Sequence, residues 1–452
     1  MPPKLPQIVA KPASEKARSF IRKVEFFEMP MTGVLTHAFT EWPLIFNGGE
    51  GALIKDMEGN MYIDLNGGFG SASTGYGHPD VIAAIKRQLD TYSFCGGRMM
   101  HPLRAELAEK IISLTPGGLE KKVLIGTTGS EAVEHAIKIA HCSSGRWQLI
   151  AFQGAFHGRF HGSLTLSSGR FVRGGYHMIG GVIHAPFAYC YRCPLGHTYP
   201  DCGVACVEYV DYLLTDPASG ANDVAAVIVE PIQGFEGFAV VPPREFLPKL
   251  KAICKKHGVE FIADEIYSGF GRTGKWFACD HEGVSPDIMT CGKGGASGLP
   301  LAVVVAENSI VEKCSQARMS ATFQANPVAC AAALATIEVI EKERLLEKAS
   351  KYGESFMKSL KDIYTDKKLS GEVRGRGLFI AAEMVTDEKS KTPDAKLAQS
   401  ISRESIKRGV FVEAGGRYGN SLRITPPLVI TLEQIQRTIE ILDEATETAL
   451  GK

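Results

Sequence analysis

Between residues 121 and 307, short runs rich in valine and isoleucine alternate with stretches that repeat apolar residues at helical spacing. The runs are KKVLIG (121–126), RWQLIAF (146–152), DVAAVIVEP (223–231), VEFIADE (259–265), PDIMTCG (286–292) and LAVVVAE (301–307). SEAVEHAIKIAH and FLPKLKAICKKH are helical stretches between them. A run that is apolar throughout suits a strand covered on both faces, and the intervening helices supply the cover. The expectation is an α/β domain of the doubly wound kind, built on a mostly parallel sheet.

Outside this region the pattern changes. Residues 327–361 read as long helices. VRGRGLFIAAEM, GVFVEAG and SLRITPPL then read as strands, and ITLEQIQRTIEILDEATETAL as a final helix. These make a second, smaller α+β unit. Residues 31–66, with GALIKDMEGNMYIDL, read as a hairpin outside the main sheet that joins the C-terminal unit in space. The expected division is 1–70 as an N-terminal segment of the small domain, 71–330 as the large domain, and 331–452 as the C-terminal small domain.

Composition narrows the partners. Among 452 residues, Lys+Arg and Asp+Glu number 50 each, so no global field favours nucleic acid or an anionic membrane. The longest apolar runs, such as VAAVIV and PLAVVVA, are far too short to span a bilayer. The basic, Pro-containing start lacks the apolar core of a secretory signal, and Glu15 interrupts its basic run. Eleven scattered cysteines suit a reducing compartment, so the expected location is the cytoplasm.

Three features carry chemistry. In IGTTGSEAVEHAIKIAH a strand ends at Gly126, a polar turn follows and a helix begins. Thr128 and Glu131 have capping-box spacing. The amides of Gly129 and Ser130 then lie at a helix start, where they serve either a phosphate or a plain N-cap. There is no GxxxxGK[ST] and no GxGxxG, which argues against a nucleoside triphosphate or a dinucleotide. Asp264 ends a buried strand at the edge where open α/β sheets bind ligands, and a carboxylate there needs a cation. Glu265, next along, points to the other side. Lys293 follows another strand at the same edge, between glycines that let a flat ligand approach. Taken singly, Asp264 reads equally as a salt-bridged residue and Lys293 as a loop lysine. A poorly solvated lysine is a good nucleophile toward carbonyls. Together, a phosphate site, an amine for a carbonyl and a carboxylate for a basic nitrogen describe pyridoxal 5'-phosphate.

With TTGSEAVE, AFQGAFHGR, VIVEPIQG, FIADEIYSGFGRTG, ATFQANPVACAAALATIEVIE and LRITPPL in order, the chain resembles the class III, fold type I aminotransferases, and most of all 4-aminobutyrate aminotransferases. The resemblance runs from about residue 35 to the end. It implies a large domain with a seven-stranded type of sheet and a smaller α+β domain. It implies that Lys293 forms the Schiff base and shuttles the proton, and that Asp264 pairs with the pyridinium nitrogen. Gly129 and Ser130 hold the phosphate. Thr322 reaches the phosphate from the partner subunit, so a homodimer or a dimer of dimers is implied. Phe156 and Ile266 cover the two ring faces, with Gln233 and Tyr267 near the ring's hydroxyl edge; many relatives carry glutamine where Tyr267 stands. Arg159 matches the arginine for a distal carboxylate and Arg423 the one for an α-carboxylate, uses that suit guanidinium. The implied substrates are an ω-amino acid, amine or amino acid as donor and a 2-oxo acid such as 2-oxoglutarate or pyruvate as acceptor. No metal is required.

One position departs from the pattern. Relatives acting on ω-amino acids read EP-[IV]-Q-G-E-G-G, and the glutamate after Q-G neutralises the α-carboxylate arginine. Here Phe235 stands at that position and Glu236 is displaced by one. Phenylalanine cannot form an ion pair with Arg423, so either Glu236 reaches it by a bulge or the substrate always supplies an anion. Arg98, in CGGRMMHP, reads either as a further substrate-side cation or as a surface residue. Cys190, Cys193, Cys202 and Cys206, with His197 between, have spacing compatible with a structural metal, a disulfide or reduced thiols. The rival activities are an amino-acid racemase or epimerase of the same family and, more distantly, a phospho-lyase or decarboxylase. A non-catalytic binding or assembly protein is the alternative from another class, and the intact Lys293, Asp264 and phosphate turn argue against it.

Overall fold

The computed structural model describes residues 5–12, 14–29, 42–314, 319–367 and 369–451. Its central sheet has seven strands, in the spatial order Lys121–Gly126, Ala302–Glu307, Ile288–Cys291, Glu260–Glu265, Val224–Val229, Gln148–Phe152 and Val182–Ala185. The last five neighbours run parallel. Ala302–Glu307 runs antiparallel to both of its neighbours and is the single reversed strand of this sheet. Every expected strand is present. Val182–Ala185 adds an edge strand that no apolar run announced, and three of its four residues are only half-buried.

Both sheet faces are covered, which explains the continuous apolar runs. All six residues of Val224–Val229 are buried. Alternate residues serve two cores: Val227, Val229, Phe261 and Ala263 pack into one, while Ala226, Ile228 and Ile262 pack into the other. The second core is roofed by the Gly129–Ser144 helix through Ala132, Val133 and Ala136. On the first face lie Phe246–His257 and Pro102–Leu114. Gly145, in the left-handed region at φ 70°, ends the roofing helix where an L side chain would be strained.

Two smaller four-stranded sheets flank this body. One is antiparallel, ordered Ser370–Arg376, Phe379–Met384, Ser421–Ile424 and Glu413–Gly415. The other joins the hairpin Leu53–Asp56 and Met61–Asp64 to Val410–Phe411, with Ile63 opposite Val410 in a parallel pair. The expected hairpin thus joins the C-terminal strands; its residues 31–41 lie outside the described residues. The helices Pro327–Lys342 and Leu345–Asp366 stand where two long helices were expected. No described helix is long and apolar enough to cross a membrane.

Candidate active site

The parallel strands bring the expected groups to one edge. Asp264 and Thr290 are register partners on neighbouring strands, and Lys293 follows two residues after the Ile288–Cys291 strand. A cleft of about 180 Å³ opens there. Gly129, Ser130, Phe156, Asp264, Ile266, Tyr267 and Lys293 line it, together with His157, Gly158, Glu230 and Phe235.

Asp264 is 4% exposed and fully engaged. His157 Nδ1 lies 2.7 Å from Oδ2, while Oδ1 accepts from the Ile266 amide at 3.1 Å and from the Thr290 hydroxyl at 3.0 Å. Three contacts fix the carboxylate's position before any ligand arrives. Glu265 faces the other way, as expected: it is buried and accepts from the amides of Ala278 and Cys279.

Lys293 has a left-handed backbone, φ 43°, which costs a non-glycine residue about 1–3 kcal/mol. Its Nζ lies 3.6 Å from the centre of the Tyr267 ring. Burial, then the nearby Arg423 charge, pushes its pKa down to about 7, while Glu230 and Asp264 oppose the shift. The amine therefore holds its proton weakly near neutrality. Burial also raises Glu230 to about 7, against the His157 charge. Glu230 accepts from the Phe156 amide at 2.8 Å and the Gly234 amide at 2.9 Å, so it braces two turns of the cleft.

The Gly129–Ser144 helix points its N-terminus into the cleft. The Thr128 hydroxyl accepts from the Glu131 amide at 3.2 Å. Glu131 does not close the expected capping box; its carboxylate reaches one residue further back, to the amide and hydroxyl of Thr127. The space in front of the helix is kept by small residues. A Cβ on Gly129 would meet Ile266 at 3.1 Å, and one on Gly158 would meet the Ser130 hydroxyl at 2.5 Å.

The remaining expected residues lie outside the cleft lining. Gln233 is fully buried; its Nε2 donates to the Gln153 carbonyl at 2.9 Å, and its Oε1 has no partner. Thr322 sits in an exposed turn, where its carbonyl accepts from the Gly97 amide at 2.9 Å. Arg159 is exposed, its guanidinium 5.7 Å from the Phe156 ring centre. Arg98 is exposed as well.

Arg423 is 2% exposed, inside a box of aromatic rings. Phe238, Phe69 and Phe235 have centres 4.0, 5.1 and 5.2 Å from its guanidinium carbon. Glu236 does not reach it: that carboxylate packs against Gly169 and feels Arg417 and Arg159. Glu413 supplies the counter-charge instead, with Oε2 3.2 Å from Nη1. The alternatives drawn from the sequence, a bulge at Glu236 or a permanent substrate anion, both give way to this pair. Phe235 still touches the arginine, through its ring face.

Sequence reasoning assigned no role to His157, Thr290 or Glu413. His157 stands beside an expected ring-stacking residue, and that adjacency was the available signal. Thr290 and Glu413 act through cross-strand pairing, which a single sequence does not encode. The cysteine segment lies apart from the cleft. Cys190, Cys193, Cys202, Cys206 and His197 line one small cavity, and all eleven cysteines are unpaired. Among the described residues, no group of three or more potential ligands is arranged to hold a metal.

These residues fit pyridoxal phosphate. A free amine, a fixed carboxylate, a helix N-terminus and opposed Phe156 and Ile266 side chains converge on one cleft too narrow for added Cβ atoms.

Residues 36–446 match the family model described as "Aminotransferase class-III". The alanine/serine racemase of Pyrococcus horikoshii is 36% identical over 99% of this chain and 94% of its own length. The 4-aminobutyrate aminotransferase of Escherichia coli K12 is 37% identical over 90% and 94%. An amine transaminase from an uncultivated Pseudomonas species, solved in its pyridoxal-phosphate-bound form, superposes with a TM-score of 0.86 at 29% identity, covering 94% of this chain and 98% of that one. A cleft of this make-up, on a chain matched along nearly its whole length, places the protein in the class-III aminotransferase family, whose cofactor is pyridoxal phosphate.

Proposed function

We propose that the enzyme transfers an amino group from an ω-amino acid, 4-aminobutyrate or one like it, to a 2-oxo acid such as 2-oxoglutarate or pyruvate. The observation that carries this reading is Lys293: an amine with a pKa near 7 that shares one cleft with a rigidly held carboxylate and a helix N-terminus. When bound, the cofactor withdraws electrons from the carbon that carries the amino group. The protein's residues do the rest. Lys293 would anchor the cofactor; once the substrate amine displaces it, the freed Nζ would take the proton from that carbon and deliver it to the cofactor carbon. Asp264, oriented by His157 and Thr290, would set its negative charge against the ring nitrogen and so hold a proton there. Gly129 and Ser130 bind the phosphate with backbone amides. Phe156 and Ile266 fix the ring plane, and Tyr267 lies under the amine. Gln233, whose Oε1 has no partner, would hold the ring's hydroxyl edge. Arg423 grips an α-carboxylate, and Arg159, at the mouth, a distal one.

We take the working form as a homodimer or a dimer of dimers in which the partner subunit's Thr322 completes the phosphate site. An exposed apolar cluster beside this turn supports it: Phe94, Met99, Met100 and Phe323 are 46%, 61%, 93% and 62% exposed. Eleven unpaired cysteines suit the cytoplasm. Residues 1–70 and 331–452 form the small domain in this reading and 71–330 the large one; the pairing of Met61–Asp64 with Val410–Phe411 supports the grouping.

The test is a single-turnover screen of the yellow holoenzyme against ω-amino acids and α-amino acids. Loss of the 4-aminobutyrate amine, appearance of its carbonyl product, and regeneration by 2-oxoglutarate are expected. The similarity to an alanine/serine racemase over 99% of the chain motivates the second reading. Inversion of an L-amino acid with no acceptor and no keto acid released establishes that reading instead.

A further inference from the structure

Arg423 is an unusual buried cation. Its Nε and Nη1 are both buried without a hydrogen-bond partner, although Glu413 Oε2 stands 3.2 Å from Nη1. The pair is close enough for charge neutralisation but not aligned as a hydrogen bond. Donors are therefore left for a second anion, beside a carboxylate that is already present.

That carboxylate is fixed in place. Glu413 and Arg423 are direct register partners on adjacent antiparallel strands. Glu413 Oε2 also accepts from Asn66 Nδ2 at 2.7 Å. The three phenylalanine rings pack around the guanidinium, with centres 4.0–5.2 Å from its carbon. The arginine adjoins the reaction site: the Phe235 ring that packs on its guanidinium also lines the cleft that holds Lys293.

We propose that Glu413 is a permanent counter-ion that sets substrate class. It rests on the transaminase reading above. An incoming α-carboxylate must take the free donors of Arg423 while lying next to the Glu413 carboxylate, so it binds weakly. A donor with no carboxylate on its amine-bearing carbon leaves the pair intact and meets only the walls of Phe69, Phe235 and Phe238. The enzyme therefore favours primary amines and ω-amino acids with an apolar stretch next to the amine, and holds 2-oxo acids loosely. Glu413 does this without moving, and it acts on substrate through Arg423, as a positioning residue.

The experiment compares wild-type, Glu413→Gln and Glu413→Asp holoenzymes. KM is measured for a donor lacking an α-carboxylate and for an α-amino acid, and calorimetry gives the Kd of 2-methylpropanoate, an unreactive carboxylate without an amine. In Glu413→Gln the α-amino acid KM and the 2-methylpropanoate Kd fall about tenfold, while the KM of the other donor rises by a similar factor. Glu413→Asp, which keeps the charge but draws it back, moves the same quantities the same way by less. If Glu413→Gln does not fold, the Asp variant alone decides the direction. Equal changes for both donor classes, or an unchanged Kd, overturn the proposal. Wild-type enzyme that transfers no amino group while the Kd still shifts overturns the transaminase reading instead.

Discussion

The chemistry turns on how two side chains are surrounded. Asp264 accepts from an amide and a hydroxyl and contacts an imidazole, so its carboxylate is oriented in advance. Lys293 is buried, with the Arg423 charge nearby, and loses proton affinity for both reasons. Its neutral amine is the form that captures an aldehyde. Capture of pyridoxal phosphate by the apoprotein should therefore speed up as pH rises, with a midpoint near 7, and level off above it. Stopped-flow absorbance measures this, and a rate flat between pH 6 and about 8 contradicts it. Lys293→Ala should lower kcat by about 10²–10⁴ while leaving phosphate-dependent cofactor retention detectable by equilibrium dialysis. Lys293 and Asp264 were legible in the sequence because each breaks an apolar run at the sheet edge. Glu413 was not: its strand partner is set by register, and Phe235 drew attention to the wrong neighbour, Glu236.

Among the secondary-structure elements, the helix start at Thr128 and the tight turn at Gly158 bound the end of the cleft where the phosphate is proposed to sit. Thr128→Ala removes the only side-chain cap of that helix and should cost about 1 kcal/mol of stability, read by chemical denaturation of the apoprotein. Gly158→Ala should do more harm to the cofactor than to the fold. Its φ of +135° and the 2.5 Å approach to the Ser130 hydroxyl force that turn to shift. Fluorescence titration should show cofactor affinity weakened by at least about tenfold, and an unchanged Kd would show that this turn does not touch the phosphate. The buried strands were readable from composition because both faces are covered. The reversal of Ala302–Glu307 was not, since a fully apolar strand reads alike in either direction. Val182–Ala185 stayed hidden because an edge strand needs no apolar run.

For the whole molecule, the proposed sharing of sites between subunits has a direct test. Lys293→Ala and Thr322→Trp chains are each expected to be inactive alone. Co-expressed, the mixed dimers regain one intact site, so activity should return to roughly a quarter of wild type by random pairing. No recovery in verified mixed dimers means that each chain builds its site unaided. The pairing of the N-terminal hairpin with a C-terminal strand was anticipated because that hairpin reads as lying outside the main sheet. The proposed role of a partner rests on the resemblance. The hairpin carries a further consequence. Asn66 and Glu413, which meet beside Arg423, are 347 residues apart along the chain. During synthesis Gln7 can already pair with Met61 on the Met61–Asp64 edge, but the amides of Ile63 and Leu65 wait until Gly409 and Phe411 leave the ribosome. A product truncated before Gly409 leaves the 63–65 part of that edge unpaired, a template on which nascent copies join edge to edge, and chaperone demand in the cell should rise with every pause late in translation.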